Sequence, residues 1–123
     1  MRPLMCRLMP VVGLVVLTAC VPSLAPAPVA APAPEVEAAI AEAFAPFGET
    51  VVAQATQVAR CESGWVPTAG AGRYYQGLFQ LGRHIAAINA YGGNWLDPVQ
   101  NALAARDLYV SRGNSWSAWT CHP

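Results

Sequence analysis

Glu62 is the residue of this chain best equipped for chemistry, and it sits in the stretch Arg60-Cys61-Glu62-Ser63-Gly64-Trp65. Val51, Ala55, Val58 and Glu62 are spaced by four, three and four residues, so on a 3.6-residue period they share one face. The glutamate is therefore expected to point inward with the valines. A carboxyl on an apolar face at a helix end is suited to general acid catalysis, because desolvation and the negative end of the helix dipole both disfavour the charged form. Gly64 can close the helix in the left-handed conformation and Pro67 stops its continuation, so the acid is expected where the helix ends and a cleft opens. Glutamates near helix ends are more often solvated or paired than catalytic. The apolar stripe beneath Glu62 and the flat ring of Trp65 beside it favour the chemical reading.

The elements that must position this acid are short. A first helix is expected from about Thr50, as N-cap, to Ser63. From Trp65 to Leu81 the chain is aromatic and punctuated by Gly70, Gly72 and Gly77, which reads as a loop or small hairpin over the cleft. Arg83 to Tyr91 reads as a second helix closed by Gly92-Gly93. Asp97-Pro98 opens a third that runs to Gly113, with Val99, Ala102, Leu103, Tyr109 and Val110 as its buried side. Asn114 to Trp119 makes a last turn before Cys121. Phe79, Tyr109 and Trp119 are expected in the core, whereas Trp65 and Tyr75 lie near enough to Glu62 to stack on sugar faces. The expected fold is mainly α, a small helical domain with a minor hairpin over the site.

Upstream of this domain the sequence changes character. Arg2 and Arg7, the apolar run from Val11 to Leu17 and the small residues before Cys20 make residues 1–19 an export signal, too short to span a bilayer. Leu17-Thr18-Ala19-Cys20 resembles the lipobox of bacterial lipoproteins, which implies cleavage before Cys20 and a lipid on its sulfur. The alternative is an ordinary secretory signal with a chance cysteine. Residues 20–49 then comprise a Pro/Ala-rich spacer, about 40 Å long if Val21 to Pro34 is extended, and a short amphipathic helix from Glu35 to Phe44 broken by Pro46 and Gly48.

Residues 50–123 form the expected domain, and 74 residues make a marginal core without covalent help. Of the four cysteines, Cys6 leaves with the signal and Cys20 takes the lipid, so Cys61 and Cys121 are expected to bond in an oxidising compartment. The remaining cysteines with His84 and His122 match no zinc spacing, and neither a metal nor a cofactor is expected. Five arginines against three acids leave this domain at +2 with no basic face, so nucleic acid is not an expected partner.

Three motifs together resemble a known domain. Cys61-Glu62-Ser63-Gly64-Trp65, Tyr74-Tyr75-Gln76-Gly77-Leu78-Phe79-Gln80 and Trp119-Thr120-Cys121 are similar to the lysozyme-like domain of resuscitation-promoting factors and soluble lytic transglycosylases, over nearly all of residues 50–123. The resemblance implies that Glu62 is the single catalytic acid and that Ser63 and Gln80 help bind substrate. Asp97-Pro98, Asn101, Ala105 and Tyr109 resemble the structural D-P-x-x-N helix of the transglycosylases. Two features depart from the pattern. Leu78-Phe79-Gln80 follows the transglycosylase order while the cysteine pair follows the resuscitation-promoting factors, and the A-Y-N-A-G motif expected after the D-P-x-x-N helix is absent, leaving Tyr91 without a role.

The expected activity is cleavage of the MurNAc-GlcNAc bond of peptidoglycan by a monomer anchored through Cys20 to the outer face of the plasma membrane or the periplasmic side of an outer membrane. A hydrolytic glycosidase normally needs two carboxyls across the scissile bond. Glu49, Asp97 and Asp107 are the available partners; Asp97 reads more simply as an N-cap and Asp107 as a solvated flank. One acid suits a transglycosylase, which uses the muramyl 6-hydroxyl instead of water and leaves a 1,6-anhydro end. The alternatives are a lysozyme-type muramidase with Glu49 or Asp97 as second carboxylate, and a non-enzymatic peptidoglycan-binding lipoprotein.

Overall fold

The computed structural model describes residues 25–26, 30–83 and 85–123; the export signal, Cys20 and His84 lie outside them. Three helices, α1 (Pro34–Phe44), α2 (Glu49–Ser63) and α3 (Pro98–Ser111), carry the architecture. A two-stranded antiparallel hairpin, β1 (Tyr75–Gln76) and β2 (Leu81–Gly82), pairs Tyr75 with Gly82 and Gln76 with Leu81. Short 3-10 turns at Ala45–Phe47 and Ala86–Tyr91 complete it. Among the described residues the fold is mainly helical with a minor hairpin and one disulfide.

The packed unit begins at Pro34, not at residue 50. Helix α1 starts with proline at its first position and Glu35 and Glu37 in its first turn, both suited to a helix N-terminus. It buries Val36, Ala39, Ile40, Ala43 and Phe44 against α2 and α3. Phe44 is the hub of the aromatic core: its ring centroid lies 5.4 Å from Trp116, 5.8 Å from Phe79, 6.0 Å from Tyr109 and 6.4 Å from Phe47. The short helix after the spacer, whose packing the sequence left open, thus supplies the centre of the core.

Helix α2 is entered from the 3-10 turn through Gly48, at φ 93°, and no side chain caps it. Thr50 lies inside the first turn and is not the N-cap, because the chain reverses at Gly48. The other end follows expectation: Gly64 takes the left-handed conformation and its N–H donates to the Arg60 carbonyl.

The segment expected to be a helix from Arg83 to Tyr91 is only the 3-10 turn Ala86–Tyr91. Helix α3 is capped as expected, with Asp97 Oδ1 accepting the Gln100 N–H at 2.9 Å. Its buried face is Asn101, Ala102, Ala104, Ala105 and Tyr109, while Val99 and Val110 are exposed. At about 100° per residue Val99 and Val110 point away from that face, while Leu103 is partly buried against the core. The alanines won the core because α1 packs against α3 here, and small side chains admit close approach of a second helix.

Asn101 joins α3 to the hairpin. It is fully buried, accepts the Phe79 N–H at 2.8 Å, and donates to the carbonyls of Trp95 at 3.0 Å and Gln76 at 3.3 Å. Gly77 makes room for it: a Cβ there would meet Trp95 O at 2.2 Å and Asn101 Nδ2 at 2.3 Å, on a backbone at φ 83°. Asn101→Leu keeps the volume and removes all three bonds, stranding buried main-chain groups. It is expected to cost about 3 kcal/mol and, at roughly 4–8 °C per kcal/mol, to lower Tm by more than about 10 °C. Thermal melts followed by circular dichroism measure this; an unchanged Tm would remove Asn101 as the link.

Candidate functional site

A cleft of about 310 Å³ opens where α2 ends, lined by Glu62, Tyr75, Gln80, Ala118, Trp119 and Thr120. Three pieces of chain distant in sequence therefore form it: the last turn of α2, the hairpin and the C-terminal tail. Tyr75, Gln80, Ala118 and Trp119 also line a smaller adjoining hollow of about 120 Å³, bounded by Leu81, Ile85, Leu108 and Arg112, so the two are one groove.

Glu62 is half-buried on the wall of this groove and not buried in the core. The stripe beneath it behaves as expected, with Ala55 and Val58 buried and Val51 packed against the core, but the last turn carries Glu62 out to the rim. Its Oε1 accepts the backbone N–H of Cys121 at 3.2 Å. Oε2 has no partner among the described residues, so one oxygen is fixed by main chain and the other is left for a ligand. The Cys61–Cys121 disulfide, spanning 60 residues, clamps the tail to α2 at this point. The expected pairing is therefore present, and it also positions the acid's hydrogen-bond donor.

The aromatic wall has two parts. Trp119, 6% exposed, is anchored by its indole N–H to the Phe79 carbonyl at 3.0 Å and packs against Trp116 and Phe79. Tyr75, 56% exposed, stands edge-on to Tyr74 with centroids 4.9 Å apart. One ring is a buried floor and the other an exposed rim, a combination suited to the faces of sugar rings.

Two expected binding residues are spent elsewhere. The Ser63 hydroxyl lies 2.7 Å from the Leu78 carbonyl and 3.0 Å from that of Ala59, so its single proton tethers α2 to the hairpin loop. Trp65, at φ 63°, folds back along α2, donates its indole N–H to the Thr56 carbonyl at 2.9 Å and stacks under the Arg60 guanidinium. Neither lines the groove. Gln80 does, but its amide NH2 donates to the carbonyls of Ala69 at 3.1 Å and Gly77 at 2.9 Å, which leaves its side-chain oxygen as the group to offer a ligand.

No family model, curated protein or solved structure matches this chain.

Within the groove Glu62 is the one lining carboxylate. Glu49, at the opposite end of α2, is thirteen residues away, or about 20 Å at 1.5 Å per residue, beyond the roughly 5–9.5 Å that separates paired glycosidase carboxyls. Asp97 caps α3. Asp107 is not a free flank: it accepts from the Tyr91 hydroxyl and forms the Arg106 ion pair at 3.0 Å. The hydrogen bond to that carboxylate, together with burial, pushes the Tyr91 hydroxyl above its ordinary pKa, and Arg106 also lies over the tyrosine ring. Tyr91, without a role on sequence grounds, is a tether between the 3-10 turn and α3. Among the described residues no cluster of His, Cys, Asp and Glu is suited to a metal ion, and no helix is long and apolar enough to cross a membrane.

Ala118, Trp119, Thr120 and Arg112 are groove residues that sequence reasoning did not single out as site residues. The signal for the first three was present: pairing Cys121 with Cys61 carries the preceding residues to the neighbour of Glu62.

Proposed function

We propose that this protein is a lytic transglycosylase of peptidoglycan with a lysozyme-like domain, exported and held at the cell envelope by a lipid on Cys20. The observation that carries the reading is a single carboxylate, Glu62, on the wall of an aromatic groove. A glycan strand lies along Tyr75 and Trp119 with a muramyl residue before the acid. Glu62 gives its proton to the glycosidic oxygen; the C1–O bond breaks, and the departing N-acetylglucosamine leaves with a free 4-hydroxyl. The carboxylate then takes the proton of the muramyl 6-hydroxyl while O6 bonds to C1, closing a 1,6-anhydro ring and returning Glu62 to its acid form. No water is consumed and no second protein carboxylate is required. The hydrolytic alternative is disfavoured by the distance of Glu49 and the capping role of Asp97.

Digestion of purified sacculi in water enriched in ¹⁸O, followed by mass spectrometry of the soluble fragments, tests the reading. The expected products are 1,6-anhydromuramyl ends, lighter than reducing ends by one water and free of ¹⁸O. Labelled reducing ends would instead establish a muramidase, and intact sacculi that retain the protein would establish a binding module.

A further inference from the structure

We propose that Arg112 forms an anion subsite at the far end of the groove and takes a carboxylate hung from a muramyl residue, so that the domain selects acidic muramyl glycan over neutral amino-sugar polymer. This rests on the reading of the groove as a glycan site and names what it recognises there. The groove is bipolar: Glu62 lines only the larger hollow and Arg112 only the smaller, with Tyr75, Gln80, Ala118 and Trp119 common to both. Arg112 is the one arginine on the groove wall, and three of the others are engaged elsewhere. Arg60 covers the Trp65 ring, Arg83 donates to the carbonyls of Arg73 and Gly72, and Arg106 is paired with Asp107.

The Arg112 side chain has no hydrogen bond or ion pair among the described residues. No carboxylate lines its end of the groove, where Leu81, Ile85 and Leu108 present apolar surface. Arg112 is exposed, so its pull on an anion is modest, but its planar fork matches a carboxylate in bidentate fashion and the apolar wall offers no competing acceptor. The ligand must therefore bring the anion. In peptidoglycan the lactyl ether of each muramyl residue supplies it, either as a free acid on a stripped strand or through the stem peptide attached there. An N-acetylglucosamine polymer has no such group.

Titration calorimetry in low salt tests this on the full chain carrying Glu62→Gln, with Arg112 intact or changed to Gln or Lys. Three soluble probes are used: a muramyl tetrasaccharide with free lactyl groups, the same with stem peptides, and the neutral N-acetylglucosamine tetramer. Arg112→Gln is expected to weaken at least one muramyl probe by about 5- to 10-fold, with Lys recovering part of the loss and the neutral probe unaffected or not bound by either form. The muramyl probe that loses more identifies the source of the carboxylate. Equal losses on all probes, no loss on any, or no binding of any glycan would overturn the proposal. Unchanged melting curves show that the exposed side chain is not structural. Cleavage of sacculi by the chain with Glu62 intact is read separately: no cleavage alongside Arg112-dependent binding removes the transglycosylase and leaves the subsite.

Discussion

Glu62→Gln is expected to lower glycan cleavage by about 10²- to 10⁴-fold while leaving the melting temperature and glycan affinity close to those of the parent chain. The amide has the shape of the carboxyl, and its oxygen can still accept the Cys121 N–H, so the tail remains in place. What it lacks is a proton to give to the glycosidic oxygen. Two measurements are needed: the rate of release of soluble fragments from sacculi, and retention of the variant on the same sacculi. Full activity would remove Glu62 from the mechanism. A Tm well below that of the parent would show that the lost rate reflects lost structure.

Breaking the Cys61–Cys121 bond is expected to damage both stability and activity. Closing a loop of 60 residues is worth about 4 kcal/mol in the chain-entropy treatment. In a domain of this size that corresponds to a fall in Tm of more than about 15 °C. The site has its own reason to suffer, because the tail delivers Trp119 and Thr120 to the groove wall and the Cys121 N–H to Glu62. At a temperature where the reduced chain is still folded, cleavage should therefore remain well below that of the oxidised chain. Melting and activity of the Cys61→Ala/Cys121→Ala chain, compared with the parent, measure the two effects apart. Unchanged melting would show that the staple is dispensable, and unchanged activity that the tail holds its place without it.

The local features were legible in the sequence because each depends on neighbours within a turn or two. Gly64 ends α2 in the left-handed conformation, Asp97 and Pro98 open α3, and the glycines around Tyr75 mark a hairpin, all for reasons of backbone sterics and capping. The cysteine pair was legible for a different reason: with Cys6 assigned to the expected export signal and Cys20 to the expected lipid, Cys61 and Cys121 were the pair left. What misled was hydrophobic pattern at the level of packing. Val99 and Val110 look like core and are exposed, while Asn101 and three alanines are the face that α1 and the hairpin need. A stripe of large apolar residues signals burial only when a neighbour is free to cover it.

The sequence by itself determined that Glu62 ends a helix beside a cysteine, since the spacing of residues 51 to 62 and the stop at Gly64 are properties of the chain. Only the tertiary structure decided what surrounds that acid. Ser63 and Trp65, its sequence neighbours, turn their polar groups to main chain, while Tyr75, Gln80, Trp119 and Thr120 arrive from far along the chain to form the groove. It also decided that α1 belongs to the core, with Phe44 among rings contributed by residues 47, 79, 109 and 116. The division has one physical cause: caps, turns and periodicity are fixed by interactions within a few residues, whereas the lining of a cleft and the choice of a buried face depend on which distant surfaces can pack with the least empty space and no stranded polar group.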